Sequence, residues 1–196
     1  MATLYDLEDQ LSALQSKVQA LRAAVNGRVV EDYVFEGWAG PVRLSDLFDG
    51  RERLIVIHNM GGGCSYCSMW ADGINALLYQ LEKVSAVAMT NHDGVARQKT
   101  ISAARGWRFT MADAGRTSFT EDMGFFSSEG EDAGMLPGTS TFTRDATGTI
   151  RRYSMSYFGP HDKFCPVYSF LELLPSAAEA EFDPGAASAQ EACAQE

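Results

Sequence analysis

Two of the four cysteines of this 196-residue chain, Cys64 and Cys67, stand three residues apart in the stretch GGGCSYCSMW, residues 61–70. A Cys-x-x-Cys pair can cycle between dithiol and disulfide, or it can supply half of a thiolate metal site. The metal reading has a candidate second half in the stretch GPHDKFCP, where His161 and Cys165 lie four residues apart. Cys64, Cys67, His161 and Cys165 would form a Cys3His set whose ligand types and local spacings suit zinc. The fourth cysteine, Cys193, lies in an Ala- and Glu-rich stretch with no motif around it.

Composition narrows the setting. The formal net charge is -10, and no basic stretch exceeds Arg151-Arg152. A field of that sign repels phosphate, so nucleic acid and anionic membranes are not expected partners. No apolar run approaches the roughly 20 residues that cross a bilayer. The first residues, MATLYDLEDQ, are acidic and lack the basic and apolar regions of a secretion signal. The expectation is a cytoplasmic protein with no cofactor. There, sparse cysteines report redox or metal chemistry rather than a disulfide scaffold. Hydrophobic residues make up 45% of the chain, enough for a real core.

The elements that would position the pair follow from periodicity. Leu4, Leu7, Leu11, Leu14, Val18, Leu21 and Val25 recur at alternating steps of three and four, a heptad seam on a helix that stops at Gly27. That helix either lies on its own domain or forms a homodimer through residues 4–25. In a parallel dimer Lys17 would oppose Arg22, whereas an antiparallel one brings Glu8 to Arg22. Residues 32–48 predict a short hairpin followed by a helical turn at 45–48. LIVIHNM (54–60) and VSAVAMT (84–90) are continuous apolar runs and predict buried strands. WRFTMAD (107–113) is a third strand candidate, and helices are expected over 65–82 and 94–105. SFTEDMGFFSSEGEDAGMLPG is expected to be loop. GTSTFTRDATGTIRRYSMSYF reads as a hairpin about a DATG turn, and PVYSFLELL (166–174) as a helix opened by Pro166.

The order β-α-β-α-β, then hairpin, then helix, predicts an α/β fold: a mixed central sheet flanked by helices, with an added N-terminal helix. The expected organisation is a heptad helix at 1–27, one domain at 31–175 and a flexible tail at 176–196.

This frame sets Cys64 at the start of a helix that follows a buried strand. Unpaired N–H groups there favour a thiolate. Residues three apart share a helix face, about 5–6 Å apart at Cβ, and a small adjustment brings them within disulfide reach. Cys67, one turn inside, would be the more buried. Cys64 would therefore attack and Cys67 resolve. Gly61, Gly62 and Gly63 would leave the sulfur open to another molecule, besides making the turn.

The stretches DYVFEGWAGPVRLSDLF, LIVIHNM, GCSYCSMWADG, Gly106–Phe109, SFTEDMGF and GTSTFTRD resemble a bacterial thioredoxin-like family, domain-of-unknown-function family 899, related to the alkyl-hydroperoxide-reductase/thiol-specific-antioxidant group. The resemblance covers residues 31–175. It implies a thioredoxin-like fold with Cys64 and Cys67 as the redox pair, acting on a protein or small-molecule thiol/disulfide substrate. Similarity to thioredoxins also implies a proton acceptor at the place of His58, whose other reading is a hydrogen-bonded histidine on a buried strand, and a substrate-facing strand start at Gly138 or Thr139, next to Pro137. Tyr66 and Gly63 would border the substrate, and Trp70 would pack or frame the same groove. Asp72 is either a helix-surface residue or a charge near the site. The chain departs from thioredoxins in its Ser-Tyr interior pair. The peroxiredoxin pattern Pro-x-x-x-Thr/Ser-x-x-Cys would need proline at position 57 or 60, which hold Ile57 and Met60. Besides redox and metal chemistry, a non-catalytic thioredoxin-like binding module remains open, because this fold serves many functions.

Overall fold

A computed structural model describes residues 2–23, 27–129, 133–175 and 182–185. In chain order the elements are α1 (Leu4–Ala23), β1 (Arg28–Val29), β2 (Val34–Gly37), β3 (Gly40–Arg43), a 3-10 turn (Asp46–Phe48), β4 (Arg53–His58), α2 (Ser65–Leu81), β5 (Ala86–Asn91), α3 (Val95–Arg105), β6 (Thr110–Asp113), α4 (Phe119–Asp122), β7 (Phe126–Ser127), β8 (Gly134–Met135), β9 (Gly138–Arg144), β10 (Ile150–Tyr157) and α5 (Pro166–Leu171).

The main sheet runs β1-β10-β9-β4-β5-β6-β2-β3. β4, β5 and β6 are parallel neighbours, because each is joined to the next by a crossover helix. β9 adds antiparallel to β4 and β10 to β9, as the hairpin pattern requires. Every residue of β5 is buried, which explains the apolar run Ala86–Met89 at its start. The expected mixed α/β fold with an added N-terminal helix is the one observed.

Two cores lie on opposite faces of this sheet. β4 alternates between them: Leu54 and Val56 join Phe35, Phe48, Phe119, Phe125 and Phe142 on one face. Ile57 joins Trp70, Ile74, Leu78, Trp107 and Tyr168 on the other. Two successive right-handed crossovers place α2 and α3 on the second face, and α5 packs there too. The first face is closed by the 3-10 turn and α4.

Some boundaries differ from the expectations. Residues 107–109 leave the third strand candidate, because Trp107 Nε1 donates to Asp72 Oδ1 at 2.7 Å and turns the chain under α2. α5 ends at Leu171 rather than 174. The stretch expected to be loop contains α4 and the β7–β8 pair, with Phe119, Met123 and Phe125 fully buried. Its Gly, Ser and acidic residues concealed three apolar anchors. The heptad seam of α1 does not lie on its own domain: Leu4, Leu7, Leu11, Leu14, Val18 and Leu21 are between 47% and 75% exposed. A polar stretch of the same helix, including Ser12, Gln15 and Ser16, borders a cleft with Lys163. The seam position Val25 lies outside the described residues. So does most of the expected flexible tail, but its described residue Phe182 packs edge-on against Tyr168, with ring centroids 6.0 Å apart.

Candidate functional site

β4 delivers the chain to the pair through a tight loop. Asn59 braces it: its side-chain oxygen accepts the Gly61 N–H at 2.7 Å, and its Nδ2 donates to the Cys67 carbonyl at 3.3 Å. Asp93 anchors the next residue by accepting the Gly62 N–H at 2.8 Å. Gly61 has φ +104°, a conformation side chains disfavour, and a Cβ there would press on the Asp93 carboxylate. A Cβ on Gly62 would collide with Ile101 Cδ1. Gly61 therefore serves its turn and the Asp93 contact, Gly62 the packing against α3, and of the three only Gly63 faces open space, with Arg97 at its margin. That corrects the expectation of three glycines opening the approach.

Cys64 is the N-cap of α2, and its sulfur accepts the Cys67 N–H at 3.2 Å. A backbone donor aimed at Sγ stabilises negative charge there. Cys64 is partly exposed, Cys67 only 2%. Both are free thiols, as is Cys165. Burial is the main cause that pushes the Cys67 thiol well above the ordinary range, assisted by its hydrogen bond and charge interaction with Cys64. The depth order is thus the expected one, with the outer sulfur reachable and the inner one held as thiol.

The two cysteines open into a cavity of about 400 Å³. Its walls include Met60, Tyr66, Trp70, Pro137, Phe158 and Tyr168, with Phe182 from the C-terminal segment. Tyr66 is 42% exposed at the edge. Trp70 is buried and stacks on Phe158 at 5.8 Å, as its packing reading required. Pro137 faces the cysteines. Among the described residues no peptide bond is cis.

The other nominated residues lie elsewhere. Gly138 is wedged between the Phe125 ring and the Ser156 carbonyl, where no Cβ fits. Thr139 is buried and donates its hydroxyl to the Val56 carbonyl at 3.1 Å. Neither lines the cavity; they hold β9 against β4. His58 points to the opposite face of the sheet. Its ring stacks on Phe125 at 3.8 Å and near Phe119 at 5.5 Å, and Nε2 lies 3.0 Å from Ser140 Oγ. Burial, with a smaller contribution from Arg152, lowers its pKa to about 3, so the ring is neutral. Asp72 is a structural residue, bonded to Arg105 and Trp107.

Nor are the four metal ligands gathered. His161 Nδ1 is paired with Glu172 at 2.6 Å, while Cys165 is a buried N-cap of α5. Among the described residues no three His, Cys, Asp or Glu side chains are placed to hold a metal ion.

Sequence reasoning missed Asp162. Its two oxygens accept four N–H groups: Trp70 Nε1 and Gly159 N at 2.9 Å each, Phe164 N at 2.6 Å and Cys165 N at 3.0 Å. This carboxylate folds GPHDKFCP into a compact loop and pins it to α2, which sets Phe158 and Pro160 over the cysteines. The sequence signal was a lone acid between Pro160 and Pro166, in a stretch otherwise weighed only for metal ligands.

A family model described as "Bacterial protein of unknown function (DUF899)" matches residues 1–190. No curated protein matches the sequence. The fold is similar to a cysteine-to-serine mutant of peroxiredoxin Q from Xanthomonas campestris, with TM-score 0.59 and 14% identity over 76% of this chain and 97% of that one. A Xylella fastidiosa PrxQ mutant matches with TM-score 0.55 and 17% identity, over 79% and 96%. A peroxiredoxin-like protein from Aquifex aeolicus matches with TM-score 0.51 and 17% identity, over 68% and 75%. At these identities the likeness establishes a shared thioredoxin-like fold.

Proposed function

The chain belongs to this DUF899 family of bacterial proteins of unknown function, and we propose that it is a thiol–disulfide oxidoreductase working through Cys64 and Cys67. The observation that carries the reading is the pairing of a reachable sulfur at a helix N-cap with a buried thiol one turn below it. Cys64 as thiolate attacks one sulfur of a substrate disulfide; a mixed disulfide forms and the other substrate sulfur leaves as thiolate. The Cys64 sulfur then carries no negative charge, so the hydrogen bond and charge interaction that help hold Cys67 protonated are relieved. Cys67 gives up its proton, which passes through solvent to a released substrate thiolate, then attacks Cys64 Sγ and expels the second substrate thiolate. The substrate gains two electrons and the pair becomes a disulfide, which a thiol donor must reduce for another cycle.

Similar folds carry the name peroxiredoxin, but Ile57 and Met60 stand where their proline pattern would need proline. Our reading therefore takes a disulfide, not a peroxide, as oxidant. Redox titration followed by alkylation and mass measurement tests it: one reversible two-electron couple is expected, absent in Cys64→Ser, while Cys67→Ser accumulates the mixed disulfide. A pair that never oxidises reversibly, or that is oxidised by hydrogen peroxide far faster than by any disulfide, refutes it.

A second reading concerns assembly. An exposed heptad seam on a 20-residue helix supports an antiparallel homodimer through residues 4–25. Most helical stability in proteins comes from packing an apolar face, and an exposed apolar stripe of this kind favours a partner. The antiparallel arrangement pairs Glu8 with Arg22 of the second copy and avoids the Lys17–Arg22 repulsion. Sedimentation of the full chain should give a dimer that Leu11→Glu with Leu14→Glu converts to monomer; a wild-type monomer at high micromolar concentration refutes it.

A further inference from the structure

The cavity at the cysteines differs from the rest of the surface in one respect. The chain carries 42 charged residues, yet among the described residues no Asp, Glu, Lys or Arg lines this cavity. The acid beneath it, Asp162, has its oxygens taken by four N–H donors. The nearest cation at the cysteine loop, Arg97, is engaged by Asp93 at 3.3 Å. A carboxylate-bearing disulfide such as glutathione disulfide would find no ionic partner in the walls and would lose hydration on entering.

Two main-chain groups beside the cavity are also occupied. The Pro137 carbonyl accepts the Phe158 N–H at 2.9 Å, and the Leu136 N–H donates to the Phe125 carbonyl at 2.8 Å. An extended peptide added as a strand would find neither of these groups free to pair. What the walls offer is aromatic and apolar surface: Tyr66, Trp70, Phe158, Tyr168 and Met60. Phe182 completes the wall from the C-terminal segment. The segment passes close to the pair, for a Cβ on Gly185 would lie 3.3 Å from Ser65, the residue after Cys64.

We infer that the substrate of the Cys64–Cys67 pair is a small uncharged disulfide bearing an aromatic or bulky aliphatic group beside the sulfur, selected by the Met60–Tyr66–Phe158–Phe182 wall rather than by ionic or main-chain contacts. This rests on the redox reading of the pair. The apolar group enters the cavity, expels water from its walls and brings the neighbouring sulfur to Cys64. The balance of the exchange is unchanged: the small disulfide is reduced to two thiols while the pair becomes a disulfide.

Matched substrates separate side-chain selection from intrinsic reactivity. Pre-reduced full-length protein is mixed with the homodisulfides of N-acetyl-Phe-Cys-amide and N-acetyl-Gln-Cys-amide. The two have equal charge and the same kind of leaving thiol, and formation of the Cys64–Cys67 disulfide is followed by quenched alkylation and mass. The expected result is a second-order rate at least about tenfold higher for the Phe compound, a selectivity typical of apolar pocket contacts. That ratio should fall below about threefold in Met60→Gln, Tyr66→Ser and Phe182→Ser, whose side chains sit at the cavity rim. A ten-residue peptide disulfide with the same Phe-Cys core should react no faster than the short one. Equal rates for the Phe and Gln compounds overturn the inference while leaving the redox reading intact, and so does a large gain from the longer peptide. A pair that neither compound nor diamide oxidises overturns both.

Discussion

One strand, β4, feeds two sites of opposite character. On one face the chain runs on to Cys64 and Cys67 at the edge of an open apolar cavity. On the other, His58 is sealed between Phe119 and Phe125, with its Nε2 satisfied by Ser140 and its ring held neutral. The cysteines and the histidine lie within ten residues of one another, and all three are residue types that catalyse. Yet of the three only Cys64 is reachable from solvent. Nearness in sequence does not give a shared chemistry when a sheet stands between the side chains.

The contrast can be attacked from both sides. The largest effect is expected in thiol reactivity. In a Cys193→Ser background, iodoacetamide at pH 7 should modify Cys64 more than about a hundredfold faster than Cys67, because the buried thiol is held protonated. Peptide mapping reads this, and preferential labelling of Cys67 would break the assignment of roles. Next comes the loop that roofs the open face. Asp162→Ala removes one acceptor from four N–H groups and should lower unfolding stability by about 2–4 kcal/mol. It should also speed alkylation of Cys67 as the roof loosens, without altering the His58 environment seen by NMR.

Gly62→Ala should cost about 1–3 kcal/mol, because its new methyl meets Ile101 and the α3 contact must shift. Gly63→Ala, facing open space, should cost far less; equal costs would mean that the loop is not held against α3. The smallest effect at neutral pH belongs to the sealed face. His58→Phe should change stability by only about 1 kcal/mol at pH 7, mainly from the Ser140 hydroxyl losing its partner. Its acid behaviour should differ clearly. His58 has a folded pKa of about 3 against an unfolded value of 6.5. The unfolded chain binds the extra proton between those limits, so stability falls as pH drops from 6.5 towards 3. The Phe variant should lose that part of the slope in denaturant titrations at pH 4 and 7. It should also keep its thiol exchange rate, and a large loss there would return His58 to the cysteine chemistry.

Much of the fold was legible because its signals are local. The apolar runs 54–60 and 84–90, the two crossover helices and the DATG turn each announce an element within a few residues. Their order then leaves few topologies. The loop expected over 118–138 is not observed for a related reason. Phe119, Met123 and Phe125 are scattered among glycines and acids without a period, and only the aromatic core on the far face makes them anchors.

By itself the sequence determined the Cys64-x-x-Cys67 pair, its place between a buried strand and a helix, and the depth order of the two sulfurs. These depend on spacing along one helical turn, which short-range geometry fixes. Only the tertiary structure decided which other residues share that site. It sent His58, Gly138 and Thr139 into packing, dispersed the metal set, and brought Pro137, Phe158, Tyr168 and Phe182 to the sulfurs from four separate places in the chain. Such company depends on which face of the sheet a side chain takes and on what closes over it, here a loop gathered by the Asp162 carboxylate, and those are properties of the packed molecule as a whole.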